Sequence, residues 1–300
     1  TMSDLLQPEL LRKLEQIQLL TARRARSSLR GERRSRVRGL SVEFADHRGY
    51  VVGDDLRHLD WNLLGRLDRL FLKLYEEDRE LPIRIFLDAS ESMNFGTPSK
   101  FTLARQIAAA VGYIGLCGFD RVSVEVFPAA TDPLGAAQRR ALRLVRGKRS
   151  SLGFFQNLGA VVPGGRADLN TALRRGALEA RQTGVAVVLS NFLDASGFEP
   201  GLTALVARGF EVVALQILSP EERDPTQFGD LRLVDSETGQ EVDVTFGRYR
   251  LKAYQEGLER HVARIREFCS ARGIRFLSVR SDADLGTLLL KDLRAGAVWS

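Results

Sequence analysis

Cysteine is almost absent: the 300 residues hold two, Cys117 and Cys269. Each falls in a helical pattern among apolar neighbours and reads as a buried free thiol, with no spacing for a thiolate metal site or a redox pair. Histidine is equally scarce. His47, His58 and His261 show neither HExxH nor HxH spacing, which argues against a histidine-based zinc site. No apolar run approaches the roughly 20 residues needed to cross a bilayer. The opening stretch TMSDLLQPELLRKLEQ lacks the basic-then-apolar pattern of a signal peptide. A cytoplasmic location is the expectation. The G-x-x-x-x-G-K-[ST] loop of P-loop ATPases is missing. So is the G-x-S-x-G elbow of hydrolases, and no histidine stands where a triad would need one.

What is present is an ordinary globular composition, 44% hydrophobic and 27% charged, with a net charge of +6. The charge is unevenly spread. Residues 10–40 carry ten Arg/Lys and two Glu, a balance of +8, and residues 41–80 carry six Arg/Lys and ten Asp/Glu, a balance of −4. A basic segment feeding an acidic one fits either internal pairing or a polyelectrolyte contact, and a solvated basic helix face is the plainer reading. Arg23, Arg24, Arg26, Arg33, Arg34, Arg36 and Arg38 are the candidates for phosphate or nucleic-acid binding. They lack interleaved aromatics for base stacking, so a nucleic-acid partner is not expected.

From residue 83 the chain alternates strand and helix. Ile83–Ser90 reads as a strand, about 100–117 as a helix and Asp120–Pro128 as a strand. Helices follow over about 134–145 and 168–182, then a strand over 184–194 and a helix near 199–208. The rest reads as a strand over 210–219, a hairpin over 231–246, a long helix over about 247–272, a strand over 273–281 and a last helix near 284–293. Near-continuous Val/Ile/Leu strands between helices predict a doubly wound α/β fold with a mostly parallel sheet covered on both faces. Loops at the carboxyl ends of such strands form the ligand crevice. Asp88, Asn191 and the Gly164-Gly165 turn are expected to meet there.

The first strand ends in FLDASESM, residues 86–93. A loop of D-x-S-x-S type can aim Asp88, Ser90 and Ser92 at one point, an oxygen set suited to Mg²⁺ or Mn²⁺. The bland alternative is that the same residues only cap turns. A hydrolase reading lacks a general base beyond Glu91 or Asp168, and Asp88-Ala89-Ser90 lacks the second Asp of an aspartyl-phosphate hydrolase. Upstream, the block GDDLRHLDW (53–61) carries Asp54, Asp55, Arg57, Asp60 and Trp61, with Arg48 and Tyr50 nearby. It fits a structural clasp, because buried charge networks specify geometry more readily than they stabilise. A docking surface for a partner is the functional alternative.

The DASES loop resembles the first loop of the metal-ion-dependent adhesion site of von Willebrand factor A domains. The stretches RSRVRGLSVEFADHRGYVVGDDLRHLDWNLLGRLDRLFLKLYEED, FLDASESM, SKFTLARQIAAA, VVLSNFLD and DSETGQEVDVT make the chain similar to the bacterial domain-of-unknown-function 58 family. That resemblance implies a von Willebrand factor A-like domain over 81–300, with an inserted β-hairpin. Residues 1–80 would be an N-terminal extension packed on the core. It also implies a non-enzymatic adaptor, encoded beside and partnered with a MoxR-type AAA+ ATPase and acting on an unknown client. Asp88, Ser90 and Ser92 match the metal loop residue for residue. The later loops depart from it. Ala167 stands where the family reads Thr, and Asn191 where it reads Asp. Asp168 and Asn191 are the remaining candidate ligands, Asp194 a substitute, and Arg166 could bring a cation in place of the metal.

Overall fold

The computed structural model describes residues 5–15, 42–50, 59–67, 69–77, 81–128, 142–226 and 229–292. They divide into two compact units. One draws on Thr1–Arg23 and Leu81–Ser300, the other on Arg24–Glu80.

The smaller unit holds β1 (Val42–Gly49) and β2 (Phe71–Glu77), paired antiparallel, and between them the helix α2 (Trp61–Leu67). Asp60 starts that helix. It is buried, and its Oδ1 accepts the N–H groups of Asn62 at 2.9 Å and Leu63 at 3.2 Å, two of the donors a helix start leaves unpaired.

The larger unit is an α/β domain. Its first described helix, α1 (residues 8–15), follows Leu5 and Leu6, and Leu5, Leu6, Leu11 and Leu14 are buried in the core of the unit. The sheet strands are β3 (Pro82–Asp88), β4 (Arg121–Phe127), β5 (Val145–Arg146), β6 (Val185–Ser190), β7 (Glu211–Leu218) and β10 (Arg275–Arg280). Their order is β10-β7-β6-β3-β4-β5, parallel except for the short antiparallel β5. The helices are α3 (Lys100–Cys117), α4 (Ser151–Gly159), α5 (Leu169–Glu179), α6 (Glu199–Arg208), α7 (Arg248–Ser270) and a final α8 (Leu285–Thr287, widening over Leu288–Asp292). A hairpin, β8 (Gly229–Val234) with β9 (Glu241–Phe246), stands as its own two-stranded sheet between β7 and α7.

The period-two rule explains the two faces. Ile83, Ile85 and Leu87 of β3 join the cluster that contains α3 and α4, while Phe86 joins the one that contains α5, α6 and α7. Helix α3 is apolar nearly all round and almost wholly buried, as a helix laid across the middle of a sheet must be. Close approach is bought with glycine on the other face: a Cβ on Gly176 of α5 would lie 2.4 Å from the Phe86 ring. The helix expected over 134–145 does not reach its end, since residues 142–146 form a turn and β5. The remaining part of that stretch, 129–141, lies outside the described residues. Helix α4 went unanticipated because SLGFFQNLG is short and carries two glycines.

The chain steps outward from β3 to β4 and β5, then returns to the other side of β3 as β6. The reversal puts a switch point between β3 and β6. In such sheets that is where a crevice opens at the strands' carboxyl ends.

Candidate functional site

Asp88 ends β3 and Ser190 ends β6, so the switch point brings them side by side. Ser190 Oγ donates to Asp88 Oδ2 at 2.6 Å, and the Ser90 N–H donates to Asp88 Oδ1 at 3.0 Å. Asp88 is 1% exposed. Burial raises its carboxyl above the ordinary range, the two serine contacts oppose that rise, and the negative Glu237 adds to it.

Ser90 and Ser92 turn their hydroxyls toward each other, Oγ to Oγ 3.0 Å apart. Asn191 closes the group: its Nδ2 donates to Ser92 Oγ at 3.0 Å, while its Oδ1 accepts the Leu193 N–H at 3.0 Å. The second bond fixes which end of the amide faces the serines. Asn191 therefore presents a donor to the hydroxyl pair. Gln216 of β7 supports it from behind through a 3.1 Å bond to the Asn191 carbonyl. The next residue, Phe192, is buried with φ at +56°, a left-handed conformation unusual for an aromatic residue. Its N–H is held by Ser190 Oγ at 3.0 Å and its carbonyl lies 2.8 Å from His261 Nε2.

The third loop comes from 161–168. The Gly164 N–H donates to the Ala89 carbonyl at 2.7 Å and the Glu91 N–H to the Gly165 carbonyl at 2.9 Å, which ties it to the DASES loop. Gly165 has φ at +80°, and a Cβ there would lie 3.1 Å from the Pro128 ring, so the tie depends on glycine. Asp168 ends this loop as the cap of α5, its Oδ1 accepting the Thr171 N–H at 3.1 Å. Asp194 lies alongside, accepting the Leu169 and Ser196 N–H groups. The structure thus gathers Asp88, Ser90, Ser92 and Asn191 into one bonded cluster, while Asp168 is engaged by its own helix.

The family model described as "Protein of unknown function DUF58" matches residues 46–264. The chain belongs to the DUF58 family. It is similar to uncharacterized proteins of Mycobacterium bovis and Mycobacterium tuberculosis, at 27% identity over 94% of this chain and 88% of theirs. An uncharacterized Mycobacterium avium protein is 31% identical over 40% of this chain and 71% of its own length. Among solved structures, the conserved hypothetical protein BatB from Bacteroides thetaiotaomicron is similar at a TM-score of 0.42 and 13% identity, over 73% of this chain and 99% of that one. An aerotolerance-related membrane protein from Bacteroides fragilis is similar at 0.42 and 16%, over 72% and 98%. No functional reading follows from likenesses at that level.

Two residues of the DUF58 crevice escaped the sequence reading. Ser190 lies in the quoted stretch VVLSNFLD, and its place before Asn191 was a usable signal. Glu237 gave none. It sits in the turn of the β8–β9 hairpin, and its Oε2 accepts the Ala167 N–H at 3.3 Å. The hairpin turn therefore reaches the loop that carries Ala167. Arg166, exposed on that loop, acts on Asp235 of the same turn. Asp235 is held below the ordinary carboxylate range first by the Glu237 and Thr238 N–H groups, with Arg166 adding to the effect.

Of the proposed clasp, Asp54, Asp55 and Arg57 lie outside the described residues. Arg48 is placed by its backbone opposite Leu72, Tyr50 donates its N–H to the Leu70 carbonyl, and Asp60 caps α2. Trp61 is 68% exposed. Arg23, Arg24, Arg26, Arg33, Arg34, Arg36 and Arg38 are likewise outside the described residues. Among the described residues no helix is long and apolar enough to cross a membrane, and no cluster of three or more His, Cys, Asp or Glu has metal-site spacing.

Proposed function

We propose that this chain is a non-enzymatic adaptor that recognises a partner protein through the crevice between β3 and β6, in the manner of a von Willebrand factor A domain. The observation that carries the reading is the cluster itself: a buried carboxylate, a facing pair of hydroxyls and an amide donor at a topological switch point. The donor set fits a hard divalent cation. Neighbouring ligands of an octahedral Mg²⁺ at about 2.1 Å stand about 3.0 Å apart, and the two serine hydroxyls have that spacing. Ser90 and Ser92 would hold Mg²⁺ or Mn²⁺, with Asp88 behind them supplying negative charge. When bound, the cation offers a partner's carboxylate an electrophilic anchor. Asn191 serves the serines, keeping Ser92 oriented, and a charged aspartate at that position is not required for that role.

The partner proposed is an AAA+ ATPase of the MoxR type, working on a client protein. That identity rests on the family resemblance, and a cytoplasmic location goes with it.

The reading is tested by titrating Mn²⁺ and Mg²⁺ into the wild-type chain and into the Ser90→Ala/Ser92→Ala variant by calorimetry. Saturable binding in the wild type, reduced at least about tenfold in the variant, a difference of roughly 1.4 kcal/mol, supports it. Equal binding by both proteins places any metal elsewhere and sinks the serine-centred site.

A further inference from the structure

The hairpin turn meets the 161–168 loop beside the crevice with one side chain, Glu237, whose charge acts on Asp88. Glu237 is half-buried, whereas Asp235, Ser236, Thr238, Gly239 and Gln240 around it are exposed. A surface hairpin has no need to bury a carboxylate at its tip, and burial of a charge is costly unless hydrogen bonds compensate. Glu237 has such a bond from the Ala167 N–H. The turn is built to present it. Asp235 Oδ1 accepts the Glu237 N–H at 2.8 Å and the Thr238 N–H at 3.0 Å, the Gly239 N–H returns to the Asp235 carbonyl at 2.8 Å, and Gly239 supplies a φ of +71°. The strands behind it have little other packing: β8 and β9 are exposed on both faces over most of their length.

We propose that the hairpin is a built-in occupant of the crevice: Glu237 holds the position in which an acidic side chain of a partner binds, and the partner gains access by displacing it. The inference rests on the crevice being the recognition site and adds that the chain carries its own competitor for that site, a carboxylate presented on a turn. Because the occupant is tethered, it competes at an effective concentration in the millimolar range. A partner carboxylate offered at micromolar concentration is therefore excluded until something draws the hairpin away. The design also accounts for Ala167. A backbone N–H holds the internal carboxylate, so no side-chain hydroxyl is needed at that position.

The test uses the full chain and a variant in which residues 235–240 are replaced by Asn-Gly. That two-residue turn suits the Val234–Glu241 pair that closes the hairpin. The probe is a cyclised, fluorescently labelled peptide of residues 229–246, with a second peptide carrying Glu237→Gln. Binding to the trimmed variant at least about tenfold tighter than to the wild type, and lost with the Gln peptide, is expected. Equal binding to both proteins, or none to the trimmed variant, overturns the proposal. Amide exchange at Ala167 gives an independent reading. It should accelerate about tenfold in full-length Glu237→Ala, which removes the acceptor, while the β3 and β6 amides stay protected, and unchanged exchange overturns the internal contact. Adding Ser90→Ala/Ser92→Ala to the trimmed variant separates the two ideas. Peptide binding that survives there keeps Glu237 as an occupant at Ala167 and removes the serines from recognition.

Discussion

Asp88→Asn should make the protein more stable while abolishing cation binding. The carboxylate is 1% exposed and is bonded by the Ser90 N–H and the Ser190 hydroxyl, with no cation among its partners in the described residues. Desolvating such a charge costs several kcal/mol. The amide is its isostere. Its oxygen still accepts the Ser90 N–H, and its nitrogen donates to Ser190 Oγ, which must turn its own hydrogen elsewhere. Exchanging two charge-assisted bonds for two neutral ones loses about 1 kcal/mol each. Against a desolvation cost of about 3–4 kcal/mol, the net gain is about 1–2 kcal/mol. Urea unfolding followed by circular dichroism should then show a midpoint raised by roughly 0.5 M, for a slope near 3 kcal/mol/M. The pH dependence gives a second check. Asp88's folded-state carboxyl is raised, so its favourable contribution is present below the ordinary value of 3.8 and is lost as pH rises through the raised value. The variant should lack that decline. A midpoint lowered by the substitution would refute the reasoning and show that the carboxylate is compensated in the folded chain.

Gly176→Ala inverts the usual helix rule. Alanine favours helix by up to about 1 kcal/mol, but its Cβ meets a fully buried Phe86, and overpacking costs about 1–3 kcal/mol. A net loss of about 1 kcal/mol in thermal or urea unfolding is expected, and a gain would show that the ring can move. Lys100 is buried against Glu222, so Glu222→Ala should cost about 3 kcal/mol by leaving that charge unpaired. Lys100→Met/Glu222→Leu should recover most of it, and additive losses in the double-mutant cycle would deny the coupling. Glu15 is held below its ordinary 4.5, first by its bond from Lys148 and then by Tyr113. The contribution is present above 4.5 and is lost as pH falls through the depressed value. Hydrogen exchange in α1 should rise in that acid range, and Glu15→Gln should remove the pH dependence.

The sheet was legible because burial on both faces writes itself into sequence as unbroken Val/Ile/Leu runs. Pro82–Asp88, Val185–Ser190 and Glu211–Leu218 begin and end within one to four residues of the strands expected. The DASES loop was legible for the same reason, since a polar cluster after such a run must fall at a strand end. Asp168 shows the limit of composition. A carboxylate before a helix is as readily a cap as a ligand, and the cap is the role that its bond from Thr171 shows. Glu237 shows the limit of locality. Its contact with Ala167 spans 70 residues, and nothing in DSETGQ marks that turn as different from any exposed hairpin.

The pairing of β3 with β6 has a consequence for when the crevice exists. Asp88 and Ser190 are 102 residues apart, and Ser92 and Asn191 are 99 apart. Their juxtaposition is set by the parallel register that places Leu87 opposite Leu189. Slipping one strand by a single residue would turn Ser190 to the other face. Closing loops of that length is among the late events of folding. The crevice is therefore a certificate of completed assembly. A nascent or clipped chain can contain DASES and VVLSNFLD in full and still lack the assembled crevice.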